Sequence, residues 1–325
     1  MKFAKMLLVL AVLLIAVCGC KTRNSTTNPT SQAQNSASST ASQPMVSSGA
    51  ENERTDSEIE GDYSSEPEDT NGEEPEFENE DEESAAAMST DFKEIGALNA
   101  DLVEWGSGGP ADAAKRPNGC TAYQQKYGKY DAYFITPASQ KVYLTFDEGY
   151  ENGYTTQILD TLKQKNVRAA FFITYPYAQQ NPELVKRMIN EGHTIGNHST
   201  RHKSFPSMSL EEAAEDVKKL HDYVKANFGY EMTLFRFPEG KFSEQTLALL
   251  QSMGYKSLFW SFAYKDYDVN DQPLTIEALD KIVDKCHPGA LYLLHAVSKT
   301  NTQILGEVID QIRAQGYTIS VWDIY

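Results

Sequence analysis

Three regimes of hydrophobic patterning divide the 325-residue chain. Lys2 and Lys5 form a short basic start, and an unbroken apolar run follows from Met6 to Val17. That run falls well short of the roughly 20 residues that span a bilayer, so it reads as the core of a secretory signal, with an uncleaved membrane anchor as the alternative. From Lys21 to about Thr90 no apolar periodicity is present. From Lys141 onward, β-rich runs alternate with amphipathic stretches. The runs are "KVYLTFD", "VRAAFFIT", "HTIGNHS", "TLFRFP", "YKSLFWSFA", "GALYLLHA" and "YTISVWDIY". Between them, segments such as "YTTQILDTLKQKN", "SLEEAAEDVKKLHDYVKANFG" and "TNTQILGEVIDQIRAQG" place apolar residues at i, i+3 and i+4, and most stop at Gly or Asn. This alternation predicts parallel strands joined by crossover helices. Seven such strands predict an α/β domain over residues 141–325, a distorted seven-stranded (β/α) barrel that closes imperfectly. An open doubly wound sheet is the alternative. Residues 91–140, with "DLVEWGSGG" and "KYDAYF", are expected to form an N-terminal extension packed on the barrel. No GxGxxG or phosphate-binding loop follows a strand, which argues against a nucleotide ligand.

Composition changes the picture mainly at the N-terminus. Residues 22–50 are rich in Ser, Thr, Asn, Gln and Ala, and residues 51–83 hold 17 acids against the single base Arg54. Such segments cannot bury enough apolar surface to offset ordering entropy, so residues 20–90 are expected to be a disordered, self-repelling tether. The tether accounts for nearly all of the formal net charge of −17, and nothing in the folded part suggests nucleic acid. The apolar run ends in Val17-Cys18-Gly19-Cys20, which resembles a bacterial lipobox. The resemblance implies removal of residues 1–19 as a lipoprotein signal peptide and lipid attachment at Cys20. The folded part would then work outside the cytoplasm, anchored to the membrane. Cys18 fits less well because bulky Val17 would precede the cut. Cys120 and Cys286 lie far apart in sequence; an oxidising exterior permits a disulfide between them, and two separate buried thiols fit equally.

The polar residues of the folded part gather at strand ends, where parallel α/β barrels place their chemistry. The first strand ends at Asp147-Glu148, the third at "NHSTRH" with His198 and His202, and the fourth at "FRFPEG" with Arg236. Asp266 and Asp268 follow the fifth, and His295 ends the sixth. Two adjacent carboxylates repel, so either a cation offsets them or they sit in a solvated loop. His198 and His202 are four apart, and a helical turn after the strand would put both imidazoles on one face. With an oxygen of Glu148 they make a His₂-carboxylate set with open positions, suited to zinc or another divalent transition metal. Asp147, beside the ion but off it, can take a proton from an attacking water. Arg236 can hold that carboxylate in place, or be a structural ion pair. His295 can be a general acid, kept protonated by Asp266, or an inert buried imidazole. His193, His221 and His287 have no such setting.

The order "TFDEG", "HSTRH", "RFPEG", the aspartates after "FWS" and the run "ALYLLH" resembles the polysaccharide deacetylases, carbohydrate esterases with a NodB-homology domain. The resemblance covers roughly residues 140–325. The wording "TFDEGYENGYT", "EGHTIGNHS" and "HPGALYLLHAVSKTN" is similar to one branch, the peptidoglycan N-acetylmuramic acid deacetylases of muramic δ-lactam formation in the spore cortex. It implies Asp147 as catalytic base, Arg236 as its orienting partner, His295 as catalytic acid and Asp266 as the group that tunes it. It implies His198 and His202 as metal-binding residues, peptidoglycan glycan strands as the partner, and acetate as the group removed. Glucosamine units of peptidoglycan, chitin oligomers or acetylxylan are alternative substrates, and a non-catalytic glycan-binding lipoprotein is the alternative without chemistry. Two positions depart from the pattern. Glu148 stands where most of the family has Asp and the muramic branch Asn, and Tyr267 stands where Trp is frequent.

Overall fold

Short apolar strands and amphipathic helices fold into a curled, parallel sheet in the computed structural model, which describes residues 92–323. The expected signal run, lipid-attachment site Cys20 and tether lie outside the described residues. The strands are β1 Val103–Glu104, β2 Ala132–Tyr133, β3 Lys141–Glu148, β4 Ala170–Ile173, β5 Thr194–Asn197, β6 Leu234–Phe235, β7 Lys241–Phe242, β8 Lys256–Leu258, β9 Leu291–His295 and β10 Thr318–Ile319. The seven expected strands run in the order β10-β3-β4-β5-β6-β8, with β9 also on β3, and every pairing is parallel. The chain beyond β8 reaches β9 only through an isolated parallel bridge between Phe262 and Tyr292. The sheet thus curls into a barrel whose last side is a single bridge, the distorted form expected, and not an open doubly wound sheet.

The extension does more than pack on this barrel. β2 lies within it and adds an eighth parallel strand beside β8. Its carbonyls serve donors that would otherwise be orphaned. Ser257 N–H donates to the Asp131 carbonyl at 2.9 Å and Phe259 N–H to that of Tyr133 at 2.9 Å. A two-residue strand is too short to show a period, so "KYDAYF" carried no strand signal. β1 pairs antiparallel with β7 outside the main sheet.

The helices are α1 Asn118–Tyr127, α2 Thr155–Gln164, α3 Tyr175–Gln180, α4 Pro182–Asn190, α5 Leu210–Phe228, α6 Glu244–Ser252, α7 Thr275–Asp284 and α8 Lys299–Ala314. Local chemistry sets their ends. Ser209 and Glu212 form a reciprocal capping box at the start of α5, and Gly229 at φ 62° ends it. The short α3 was not legible as a period. Thr174 caps it, with Pro176 in its first turn.

Strand parity sorts the core into two layers. Tyr143, Phe172, Leu234, Leu258 and Leu291 meet inside the barrel. Val142, Leu144 and Phe146, on the alternate positions of β3, pack outward against residues such as Ile158 and Leu162 of α2. Both faces are buried, which is why "KVYLTFD" reads as a nearly continuous apolar run. Gly196 is required by close approach, because a Cβ there would lie 2.4 Å from the Phe172 ring. That ring in turn supports the Arg236 guanidinium, 4.1 Å from its centroid.

Candidate active site

The parity of β3 that builds the core also aims the catalytic candidates. Thr145 and Asp147 share the inward face, and both meet Arg236. Arg236 is wholly buried, and its Nη1 donates to Asp147 Oδ1 at 2.7 Å and to Thr145 Oγ1 at 2.8 Å. Nε donates to the Leu258 carbonyl at 2.9 Å and Nη2 to that of Phe259 at 3.2 Å. The guanidinium is therefore saturated and fixed, and it orients Asp147. Burial pushes the Asp147 carboxyl up. The charge of Arg236, then His198 and His295, outweighs burial and holds it below the usual carboxylate range. Asp147 is ionised, with Oδ2 free of Arg236.

His198 and His202 come from the loop after β5. Ser199 at φ 72° and His202 at φ 50° both adopt the left-handed region, so the turn is sharp and not helical. The Ser199 hydroxyl accepts the His202 N–H at 2.8 Å, which stabilises that turn. The two imidazoles lie 4.9 Å apart at 78°. His198 Nδ1 donates to the Arg236 carbonyl at 2.9 Å, leaving Nε2 as a bare acceptor 3.6 Å from Asp147 Oδ2. Burial draws His198 down to about 4, with Asp147 opposing, so the ring is neutral. A neutral imidazole with Nδ1–H tied to a carbonyl suits a metal ligand. His198 and His202 therefore fit a divalent metal.

Glu148 does not. The β3–β4 ladder continues through Glu148, paired with Ile173, so adjacent Asp147 and Glu148 point to opposite faces of the sheet. Glu148 lies on the helix side near Thr155 and Tyr177, fully buried, with no hydrogen-bond partner for either oxygen. Burial first, then the charges of Glu151 and Asp147, raise its carboxyl well above the ordinary value. Among the described residues no three His, Cys, Asp or Glu side chains form a metal cluster. The expected Glu148–His198–His202 set is corrected accordingly: the histidines come together and the glutamate faces away.

His295 stands on β9 directly beside Asp147 in the parallel register. Its Nδ1 donates to Asp266 Oδ1 at 2.7 Å, and its backbone N–H donates to Oδ2 at 2.9 Å. Burial disfavours the imidazolium, but the hydrogen bond and charge of Asp266 outweigh it and raise the histidine above its ordinary value. Asp266 is wholly buried, whereas the alternative Asp268 is only partly buried and pairs with Lys265 at 3.2 Å. Sequence reasoning missed Asn301, whose Nδ2 donates to Asp266 Oδ2 at 2.6 Å. Its position one turn after the Ser298 cap of α8 was the available signal. His193, His221 and His287 serve structural hydrogen bonds, to the Ala169 N–H, the Tyr255 hydroxyl and Ser261 Oγ respectively. Cys120 and Cys286 are separate buried thiols.

Asp147, His198, His202 and His295 line one cavity of about 810 Å³. Tyr150, Trp260, Tyr264 and Tyr267 contribute aromatic wall, and Tyr267 sits edge-on to His295 at 5.6 Å. An apolar cleft with exposed rings suits a sugar, whose faces carry C–H groups. Trp260 is set by the extension, since Trp105 Nε1 donates to its carbonyl at 3.0 Å.

Comparison with known proteins agrees with this geometry. The polysaccharide deacetylase family model matches residues 135–258. An uncharacterized 30.6 kDa protein of Geobacillus stearothermophilus is 44% identical over 216 residues, 66% of this chain and 79% of that protein. The peptidoglycan-N-acetylmuramic acid deacetylase PdaA of Bacillus subtilis is 38% identical over 216 residues, 66% of this chain and 80% of its own. The solved structure of that protein, described as a family 4 carbohydrate esterase, superposes with a TM-score of 0.65 at 35% identity, covering 68% of this chain and 95% of the other. A Listeria monocytogenes peptidoglycan-N-acetylglucosamine deacetylase, PgdA, is 30% identical over 188 residues, 58% of this chain and 39% of its own. With motifs, fold and site in agreement, this chain belongs to the polysaccharide deacetylase family, the family 4 carbohydrate esterases.

Proposed function

We propose that this protein is a peptidoglycan deacetylase that hydrolyses the acetamide of N-acetylmuramic acid, works outside the cytoplasm, and is held to the membrane by lipid on Cys20. The observation that carries the chemistry is the placement of Asp147 and His295 side by side on paired strands, each backed by a buried partner of opposite charge. The muramic assignment draws on the likeness to PdaA. A role in spore-cortex δ-lactam formation is supported by the resemblance of "TFDEGYENGYT" and "HPGALYLLHAVSKTN" to the muramic branch.

The acetamide lies in the aromatic cleft with its carbonyl carbon toward Asp147. Asp147 Oδ2 accepts a proton from the attacking water while Arg236 keeps Oδ1 and the carboxylate plane fixed. His295, protonated and held through Nδ1 by Asp266, delivers the proton at Nε2 to the departing amine. His198 and His202 would hold a divalent metal, zinc by its liking for imidazole, and that ion supplies Lewis-acid polarisation of carbonyl and water. The base and the acid differ in the sign of the partner behind them, which lets one cleft hold both at neutral pH.

The test is mass spectrometry of defined muropeptides after incubation with the full-length protein, with and without a chelator. Loss of one acetyl mass from muramic acid, abolished by chelation and restored by zinc, supports the proposal. Loss only from glucosamine units would overturn the muramic assignment and favour the substrate of the Listeria relative.

A further inference from the structure

Among the described residues that line the catalytic cavity, Arg201 is the one Lys or Arg side chain. It lies between His198 and His202 in "HSTRH", the two residues that would hold a metal. Asp216 of α5, wholly buried, grips this turn at three points. Its Oδ1 accepts the Thr200 N–H at 2.7 Å, its carbonyl accepts Thr200 Oγ1 at 2.7 Å, and its Oδ2 accepts Arg201 Nε at 2.9 Å. Only Nε of the guanidinium is engaged by a carboxylate. Nη2 has a weak contact with Met208 Sδ at 3.6 Å, and the Arg201 side chain is 45% exposed. An arginine anchored through Nε presents its two Nη groups as a fork, the shape that binds a carboxylate bidentately. The two carboxylates of the wall are both paired, Glu239 with Lys241 Nζ at 2.5 Å and Asp147 with Arg236 Nη1 at 2.7 Å, so neither opposes an incoming anion with a full charge.

Muramic acid differs from glucosamine by a lactyl ether on C3, next to the C2 acetamide, and that ether ends in a carboxylate. We propose that Arg201 binds the lactyl carboxylate of the substrate and sets the preference for muramic acid over glucosamine, with Asp216 as its positioning residue. This deepens the muramic reading and rests on it.

The test compares kcat/KM for acetate release by the full-length protein on three probes. These are a muramic acid-containing tetrasaccharide with free lactyl carboxylates, its lactyl methyl ester, and a tetramer of N-acetylglucosamine. The wild type should favour the free acid over the ester about tenfold or more, carried by KM; tenfold corresponds to about 1.4 kcal/mol. Arg201→Gln should bring the ratio of acid to ester to about one, and Arg201→Lys, which keeps the charge but not the fork, should leave it between the two. Asp216→Asn should raise KM for the acid while the KM for the ester moves little, a split that loss of fold alone would not produce. A wild-type ratio retained in Arg201→Gln overturns the proposal while leaving the muramic function standing. Acetate released by the wild type from the glucosamine tetramer alone overturns both.

Discussion

Asp147 on β3 and His295 on the adjacent β9 each belong to a carboxylate–cation pair, with Arg236 and Asp266 respectively, and the two pairs are inversions of each other. In the first the cation is the buried member, saturated by Thr145 and the Leu258 and Phe259 carbonyls, and the carboxylate faces the cleft. In the second the carboxylate is the buried member, saturated by His295 and Asn301, and the imidazole faces the cleft. Each buried partner stabilises the charged form of the group in front of it. The result is opposite in function: Asp147 is left without its proton and His295 with one. One fold element cannot make both, because the difference lies in which member of each pair the rest of the chain surrounds.

The largest test of this inversion removes the base. Asp147→Asn should lower acetate release by about 10²–10⁴-fold, the range of a general base. Its amide oxygen still accepts from Arg236, so the loss should exceed any loss of folded protein, and near-wild-type turnover would place the base elsewhere. Arg236→Met strikes the same pair from behind. It leaves a buried carboxylate without its cation and should destabilise the fold by about 3–5 kcal/mol, read from denaturant unfolding. The matching change in the second pair, Asp266→Asn, should act on pH dependence. His295 is raised by Asp266, so the neutral amide lets it fall and moves the basic limb of kcat against pH to lower pH. The stability from that pair is full below the ordinary histidine value of 6.5 and is lost as pH rises through the raised folded value. The wild type should therefore lose part of its unfolding free energy in that window, and Asp266→Asn should not. A basic limb that stays in place in Asp266→Asn and moves in Asp268→Asn would assign the pairing to the wrong aspartate. The smallest effect is expected at Glu148→Gln. Since this side chain faces the helices, metal content by elemental analysis should stay at the wild-type level, whereas His198→Ala with His202→Ala should abolish it. Loss of metal in Glu148→Gln would mean that the end of β3 twists to bring both acids inward.

Most of this architecture was legible in residue order. The alternation of β runs and amphipathic helices named seven strands, and the strand-end rule gathered Asp147, His198, His202, Arg236, Asp266 and His295. The short α3 was one of four features that were not legible. β2 was invisible because two residues carry no period. Asn301 was missed because its contact with Asp266 spans 35 positions, and its place one turn after the Ser298 cap is its one local mark. Asp216 was lost in the polar pattern of α5, where a buried acid and an exposed one look alike.

Glu148 marks the boundary between the two kinds of information. The sequence by itself determined that two acids end the first strand, that two histidines follow the third, and that the strands are parallel. Periodicity and turn chemistry are local, and they can be read residue by residue. Which way Glu148 points was decided only by tertiary structure. Side chains alternate along a strand for as long as the ladder lasts, and the ladder lasts as far as a neighbouring strand supplies partners. Here β4 supplies them through Ile173, one residue beyond Asp147, and that pairing puts one acid in the cleft and the other under the helices.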